Sequence, residues 1–477
     1  MDPLTHPFWP VRRATPMLCA PAVPGWSGLL VHAGRAGRRV RSVDLGESTA
    51  LLTDRYELTM LQAALKSGTA ERRAVFEVFA RRLPPGRRYG VVAGTGRLLD
   101  AVEAFAFGPA ELEFLTGDGI VDEPTAEWLG TFRFTGDIWG YAEGECYFPD
   151  SPILTVEGTF AEAVLLETLV LSILNHDCAI AAAASRMAHA ADGRPLIEMG
   201  SRRTHERAAV AAARAAYVAG FTTTSNLEAG RRHGVPTAGT SAHAFTLLHD
   251  SERHAFQAQL DSLGEGTTLL VDTYDVERAV RTAVELAGPS LGAVRIDSGD
   301  LGVVARRVRE QLDALGAHQT RIVVTGDLDE YGIAALAAAP VDGYGVGTSL
   351  VTGSGAPTAS LVYKLVERAD GTGPDAPMRP VAKRSAGKPS RGGRKAAVRR
   401  IDAHGTAAVE EITVGEPAPG ARDRVLQVPL VRGGEVVGRE PLGAARERHL
   451  ASVAELPPTA LQLSGGDPAL PTEFARH

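Results

Sequence analysis

From Asp192 to Val351 the chain repeats one pattern: a short apolar run ending in small or polar residues, then an Ala-rich or charged segment with apolar positions at helical spacing. The runs are RPLIEMGSRR, GFTTTSN, PTAGTSAH, TTLLVDTYD, LGAVRIDSGD, TRIVVTGD and VDGYGVGTS, with segments such as ERAAVAAARAAYVAG and LGVVARRVREQLDALG between them. This alternation predicts parallel strands joined by crossover helices. Seven such units without a switch in pattern favour an irregular (β/α) barrel; an open doubly wound sheet is the alternative. Outside this block, ERRAVFEVFA (71–80) and residues 131–157 alternate as strands do, and 97–116 and 160–191 have helical spacing. After Ser360, LVYKLVE, EEITVG and RVLQVPLVRGGEVVG again read as exposed β structure.

The predicted fold class is α/β, an irregular (β/α) barrel with a second β-rich α+β domain built from both chain ends. The expected boundaries are an irregular arm over 1–45, an N-terminal α+β domain over 46–165 and the barrel over 166–358. A β-rich segment over 359–445, with a basic flap at 381–400, completes the N-terminal domain, and a C-terminal helix and tail follow over 446–477.

Composition narrows the function. A net charge of -7 argues against a general nucleic-acid binder. Cys19, Cys146 and Cys178 have neither zinc nor disulfide-framework spacing, which points to a reducing compartment and hence the cytoplasm. The best apolar stretch, AVLLETLVLSIL (163–174), is short and contains Glu167, so it reads as a buried core helix and not as a membrane span. The arm carries six arginines up to Arg41 but lacks the apolar segment of a secretory signal.

Both architectures place their ligand site at the C-terminal ends of the parallel strands, where this chain concentrates its polar residues. Glu198, Arg202, Ser225, Thr240, His243, Asp272, Asp275, Arg295, Asp297, Asp327 and Gly347 are therefore expected around one mouth. In TGD (325–327) and GYGVGTS (343–349) the glycines let backbone N–H groups approach an anion, although ordinary turn glycines look the same. DTYD (272–275) and RIDSGD (295–300) bring four carboxylates to adjacent rims. Such a concentration calls for a cation, and Mg²⁺ carrying a polyphosphate fits; helix N-caps are the plainer reading for some of the four. Arg202, Arg203 and Arg295 suit an anionic substrate group, or else structural ion pairs.

His243 has unusual neighbours: Gly239, Thr240, Ser241, Ala242 and Ala244 are all small, which leaves room for an adduct on the ring. His205 is its competitor. VVAGTGRLLD lacks the third glycine of a dinucleotide fingerprint, and a turn entering a packed helix is the better reading. The stretch VAKRSAGKPSRGGRKAAVRR holds eight Lys or Arg without an acid or an aromatic, so it suits a flap over polyphosphate better than a base-stacking surface.

Nine stretches taken in order resemble the nicotinate phosphoribosyltransferases: TDRYELTM, EMGSRRTHE, GFTTTSNLEAG, GTSAHAF, VDTYD, RIDSGDL, TGDLDEY, GYGVGTSLVT and YKLVE. The nine run from residue 53 to residue 367, and the arm to about 45 and the last thirty residues lie outside the match. The resemblance implies a homodimeric type II phosphoribosyltransferase with its active site at the subunit interface. Such an enzyme joins nicotinate to 5-phosphoribosyl-1-diphosphate, giving nicotinate mononucleotide and diphosphate, coupled to ATP hydrolysis through a phosphohistidine. It belongs to NAD biosynthesis and combines glycosyltransferase with ligase chemistry.

By the same resemblance His243 is the phosphorylated residue and Asp297 a second catalytic residue. Tyr56, Arg202, Ser225, Thr240 and Arg295 would bind nicotinate, with Tyr56 supplied by the partner subunit. Gly326, Asp327, Gly345, Gly347, Thr348 and Lys383 would bind phosphoribosyl diphosphate, while Asp272 and Asp297 would hold Mg²⁺. Ser225 stands where related nicotinamide enzymes carry an amide-reading aspartate, which favours the acid substrate. Met199 replaces an aromatic of those enzymes, leaving ring stacking to Tyr56 and Phe221. Transfer to nicotinamide or quinolinate, and a non-catalytic nucleotide sensor, are the competing readings.

Overall fold

The structure, a computed structural model, describes residues 48–383 and 390–475. The expectation for the arm at 1–45 lies outside the described residues.

Six of the seven apolar runs form strands of one parallel sheet: Leu196–Glu198, Thr223–Thr224, Thr268–Leu270, Ala293–Ile296, Arg321–Val324 and Gly343–Val346. Numbered along the chain, their spatial order is second, first, sixth, fifth, fourth, third. That order runs steadily around a ring interrupted between the second and third strands, as in a barrel, and lacks the reversal of a doubly wound sheet. The interruption falls at the seventh run, PTAGTSAH. It pairs with the second strand through one bridge only, Thr224 to Thr237. Pro236 has no N–H to donate and Gly239 adds backbone freedom, so this run cannot sustain a ladder. The barrel wall is open where Thr240 and His243 lie.

Capping explains where the crossover helices begin. Asn226, Asp275, Asp300 and Asp329 each accept a backbone N–H in the first turn of the helix that follows. Gly234, Gly264 and Gly288 end helices with positive φ.

The second region is built from both halves of the chain. A seven-stranded sheet orders Met378–Pro380, Leu361–Ala369, Arg73–Ala80, Leu154–Thr159, Asp137–Tyr141, Gln427–Arg432 and Glu435–Val436. A four-stranded sheet adds Arg424–Val425, Lys395–Ile401, Ala407–Val414 and Thr472–Phe474. The C-terminal helix runs over Leu442–Ala454 and starts before position 446, and the expected tail ends as a strand.

The basic stretch differs from its expected role. Residues 395–401 are a largely buried strand, not part of a flap. Lys395 Nζ pairs with the buried Glu77 (2.7 Å), Arg394 with Glu157 (2.6 Å), and Arg399 with Glu145 and Glu410 (2.7 Å each). The missing acids come from other strands, so a charge count along the segment alone misses them. The middle of the predicted flap, 384–389, lies outside the described residues.

Helix Glu167–Ala190 is long and apolar enough to cross a membrane, but it is mostly buried within the protein. Asp177 and Arg186 on it are buried and ion-paired, to Arg97 and Glu330 respectively. The VVAGTG turn is likewise internal. The Gly94 and Gly96 N–H groups donate to Glu143 (2.6 and 3.3 Å), whose carboxylate also accepts two bonds from buried Arg214. The protein's own carboxylate occupies the place a dinucleotide phosphate would take.

At the start of helix Arg55–Lys66, Glu57 is fully buried and accepts bonds from Thr53 Oγ1, Thr168 N–H (2.9 Å) and Thr168 Oγ1 (2.6 Å). Burial raises its pKa to about 7, beyond what the Thr168 bonds offset. The folded state therefore holds this proton more tightly than the open chain does. The associated stabilisation is full below the ordinary carboxylate range and is lost as pH rises through about 7, a change of about 3 kcal/mol. Glu57→Gln is expected to lose this dependence, so that its melting temperature rises relative to the parent between pH 5 and pH 8. Parallel melting curves for the two proteins across that range would expose the error.

Candidate active site

The strand ends at the barrel opening bring five of the predicted residues into one cluster. Arg295, near the end of strand Ala293–Ile296, donates from Nη1 to Thr240 Oγ1 (2.5 Å) and to the Ser241 carbonyl (3.2 Å). Its Nη2 lies 3.8 Å from Asp297 Oδ1, and its Nε is buried without a partner. Burial lowers the guanidinium pKa, Asp297 and Asp272 oppose this, and nearby Arg202 adds to the depression. An arginine so placed stays charged with donor capacity to spare, which is what recognition of a carboxylate needs.

His243 opens helix His243–Leu248 and is 40% exposed, so a reactant can reach it. Its Nδ1 lies 3.1 Å from Thr273 Oγ1, while Nε2 lies 3.8 Å from Asp272 Oδ1 and 3.9 Å from Asp297 Oδ2. Ala242 and Ala244 are exposed, and a Cβ added at Gly239 would meet nothing within 4 Å. The small residues around the ring thus leave open space beside it.

The four rim carboxylates divide into two kinds. Asp275 caps helix Val276–Ala287 and Asp300 caps helix Leu301–Ala314, as the plainer reading expects. Asp272 and Asp297 face inward. Asp272 Oδ2 accepts from the Asp297 N–H (2.9 Å) and Ser298 Oγ (2.6 Å), and its Oδ1 is buried with no hydrogen-bond partner. Thr325 Oγ1 donates to Asp297 Oδ1. An orphaned carboxylate oxygen beside a second carboxylate fits a divalent cation. Among the described residues, however, no group of three or more His, Cys, Asp and Glu is placed to hold a metal ion. The pair therefore suits Mg²⁺ that completes its shell with phosphate oxygens and water, not an all-protein cage.

Beside Asp297, on the neighbouring strand end, Gly326 (φ +108°) and Asp327 (φ 35°) form a strained turn after strand Arg321–Val324. A Cβ on Gly326 would sit 2.6 Å from the Asp297 carbonyl. Gly345 is in strand Gly343–Val346, with Gly347 and Thr348 at the start of the short helix after it. Met199 Sδ and Thr325 Cγ2 lie 2.7 and 2.5 Å from where a Gly345 Cβ would be. Gly345→Ala is thus expected to displace Thr325 and with it Asp297, lowering kcat/KM by roughly tenfold or more while the fold persists. Steady-state rates and melting curves on the variant would decide; unchanged kinetics would refute this packing argument.

Other predicted residues stand apart. Tyr56 is exposed on helix Arg55–Lys66; burial of its hydroxyl and the charges of Glu167 and Glu57 raise its pKa to about 12. Within one chain its polar neighbours are Glu167 and Thr168, not Arg295. Exposed Ser225 donates its backbone N–H to the Glu198 carbonyl (2.8 Å), which keeps it beside the first barrel strand. Lys383 is exposed and linked to Ser390 by two hydrogen bonds. Glu198 is fully buried and braces the first two strand ends through Thr224 and the Gly200 N–H, so it lies behind the mouth and does not line it. Phe221 is 1% exposed in the barrel core, which removes it as a stacking surface. His205 caps helix Glu206–Val218 through Nδ1. Thr273, Thr325 and Ser298 had not been singled out, although each adjoins or lies near an aspartate or glycine motif at a strand end.

A cavity of about 830 Å³ beside helices Glu206–Val218 and Leu227–His233 is lined by Arg97, His176, Asn226 and Arg232 among others. His243, Arg295 and Asp297 are not in its walls.

Comparison with known proteins follows the same lines. The sequence model of the nicotinate phosphoribosyltransferase (NAPRTase) N-terminal domain matches residues 51–175. The nicotinate phosphoribosyltransferase pncB1 of Mycobacterium tuberculosis is 60% identical over 447 residues, covering 92% of this chain and 98% of that protein. A nicotinate phosphoribosyltransferase of Bacillus subtilis is 36% identical over 329 residues, 67% of each chain. Among solved structures, human nicotinic acid phosphoribosyltransferase superposes with a TM-score of 0.75 at 25% identity, over 89% of this chain and 97% of that one. A nicotinate-nucleotide pyrophosphorylase from Pyrococcus furiosus gives 0.71 at 24% identity over 88% and 99%, a likeness of fold alone. The chain belongs to the nicotinate phosphoribosyltransferase family.

Proposed function

We propose that this mouth transfers the phosphoribosyl group of 5-phosphoribosyl-1-diphosphate to the ring nitrogen of nicotinate, and that ATP is hydrolysed through phosphorylation of His243. The observation that carries the reading is the convergence of Arg295, Thr240, His243, Asp272 and Asp297 at the opening of the barrel.

The pyridine nitrogen carries its own lone pair, so attack on the ribose C1′ needs no general base. The C1′–oxygen bond to diphosphate breaks as the C–N bond forms, giving nicotinate mononucleotide and diphosphate. Arg295 and Thr240 orient the carboxylate of nicotinate, with Arg202 adding positive potential. A carboxylate at position 225 would repel nicotinate; Ser225 does not. Gly326, Asp327, Gly345, Gly347 and Thr348 form the phosphate side. Asp272 and Asp297 would hold Mg²⁺, which when bound neutralises charge on the diphosphate.

His243 receives the γ-phosphoryl group of ATP on an imidazole nitrogen as ADP leaves, and water later releases phosphate. The phosphoryl group adds a charge of roughly -1.5 to -2 near two carboxylates if it titrates as phosphoserine does, which changes the affinity of the mouth for anions. This is the physical route by which ATP couples to synthesis.

The enzyme acts as a homodimer in this reading, with Tyr56 of one subunit covering the nicotinate site of the other. Leu51, Leu52 and Tyr56 are exposed on one face and Leu227, Leu247, Leu248 and Tyr274 near the mouth, apolar area that a second subunit would cover. We place it in the cytoplasm, where the free buried Cys146 and Cys178 stay reduced.

Incubation with nicotinate, phosphoribosyl diphosphate and Mg²⁺, with and without ATP, tests the proposal. Formation of nicotinate mononucleotide, raised by ATP and little affected by excess nicotinamide, is expected. Equal use of nicotinamide or quinolinate would overturn the substrate assignment.

A further inference from the structure

The TGD turn continues as TGDLDEY, and Glu330 within it has no part in the chemistry described so far. Its side chain is 1% exposed, at the start of helix Glu330–Ala335. Oε1 accepts from Arg87 Nη1 (3.2 Å) and Arg186 Nε (3.0 Å), and Oε2 accepts from Ser354 Oγ (2.5 Å). Arg87 Nη2 also donates to the Gly353 carbonyl (2.7 Å). Arg186 Nη2 donates to the Leu463 carbonyl (2.9 Å) in the C-terminal tail.

The chain positions of these partners matter. Glu330 lies just beyond Asp327 on one phosphate-side loop, and Ser354 lies just beyond Thr348 on the other. One buried carboxylate therefore ties the two loops together. Arg87, from the segment between strands Arg73–Ala80 and Gly90–Val91, ties them to the chain that leaves the seven-stranded sheet. Both loops need such a restraint. Asp327 (φ 35°) and Ser354 (φ 48°) are non-glycine residues in the left-handed region, a conformation that persists only where surroundings enforce it. At Gly353 a Cβ would meet the Ala356 carbonyl at 2.3 Å, so this turn has no slack.

We propose that Glu330, acting with Arg87 and Ser354, is a positioning residue for phosphoribosyl diphosphate: it sets the spacing between the Gly326–Asp327 turn and the Gly345–Thr348 loop. This rests on the assignment of those loops to the phosphate-bearing substrate. Glu330 bonds to Arg87, Arg186 and Ser354 and to neither Arg295 nor Thr240, the groups assigned to nicotinate, so a change in loop spacing acts first on the phosphate-bearing substrate.

Two variants of the full chain test it. Glu330→Gln leaves two buried arginines facing a neutral group. Ser354→Gly removes only the hydroxyl and suits the left-handed backbone better than serine does. Each is expected to raise KM for phosphoribosyl diphosphate, about fivefold for Ser354→Gly and more for Glu330→Gln, with KM for nicotinate and kcat within about twofold of the parent. For Ser354→Gly this occurs without a fall in melting temperature, a separation that a merely structural role would not produce. Should Glu330→Gln not fold, Ser354→Gly decides alone. Parallel changes in KM for both substrates, or no change in either, overturn the positioning role while the parent's activity leaves the substrate assignment standing. A parent that makes no nicotinate mononucleotide overturns both.

Discussion

His243→Ala is expected to abolish stimulation by ATP and incorporation of the γ-phosphoryl group, while leaving a slow ATP-independent transfer. The imidazole stands alone in this cluster as a nitrogen nucleophile, with Arg295 always protonated and His205 engaged as a helix cap elsewhere. Removing it takes away the proposed phosphoryl acceptor but none of the groups proposed to hold nicotinate or the phosphates. The ATP-dependent increment in rate should fall by roughly 10³-fold or more, the scale on which covalent residues act. The ATP-independent rate should stay within a few-fold. The side chain is 40% exposed with one hydrogen-bond contact, so the stability cost is about 1 kcal/mol or less and the loss is not one of folding. Labelling with γ-³²P-ATP, acid-labile and base-stable as a phosphoramidate is, together with rates measured with and without ATP, checks this. A variant that still takes up label or still responds to ATP excludes His243.

Arg295→Lys should cause the second large loss. The guanidinium makes contacts from two of its nitrogens: Nη1 holds Thr240 and the Ser241 carbonyl and Nη2 approaches Asp297, while Nε is buried with no hydrogen-bond partner. A lysine retains the charge but replaces the planar fork with a single point, which cannot hold the 240–241 segment and a carboxylate together. A loss of about 2–4 kcal/mol in transition-state binding follows, or roughly 30- to 1000-fold in kcat/KM for nicotinate. KM for phosphoribosyl diphosphate should move little. The preference for nicotinate over nicotinamide should shrink, because the amide gains little from the fork. Equal losses with the two pyridines would show that Arg295 supports the fold of the mouth and does not read the carboxylate.

The mouth was legible because barrel strands follow one rule. Apolar runs of a parallel sheet carry their polar residues at the C-terminal ends, so Arg295, Asp297, Asp272 and Gly345 were visible as positions without knowledge of their contacts. The helix caps were legible for a similar reason: an aspartate satisfies N–H groups two or three residues ahead, which is local chemistry. The same rule misplaced Glu198, whose carboxylate turns inward to accept from Thr224, and the family resemblance misplaced Phe221, whose ring belongs to the core. The basic segment misled in another way. Charge read along the chain suggested a solvated flap, whereas Arg399 is fully buried against Glu145 and Glu410. Partners 254 and 11 residues away cannot both be anticipated from a local window.

By itself the sequence determined the alternation of strand and helix, the strand ends that carry the chemistry, and the open ground around His243. These depend on periodicity, capping and side-chain size, each set within a few residues of chain. Only the tertiary structure decided that PTAGTSAH would leave the barrel wall open instead of completing it, and that two of the four rim aspartates would face His243 while two capped helices. It also decided that Glu330 would join two loops. Those outcomes depend on which distant groups meet in the folded chain, and pairing across hundreds of residues is settled by packing and by the need to satisfy every buried charge.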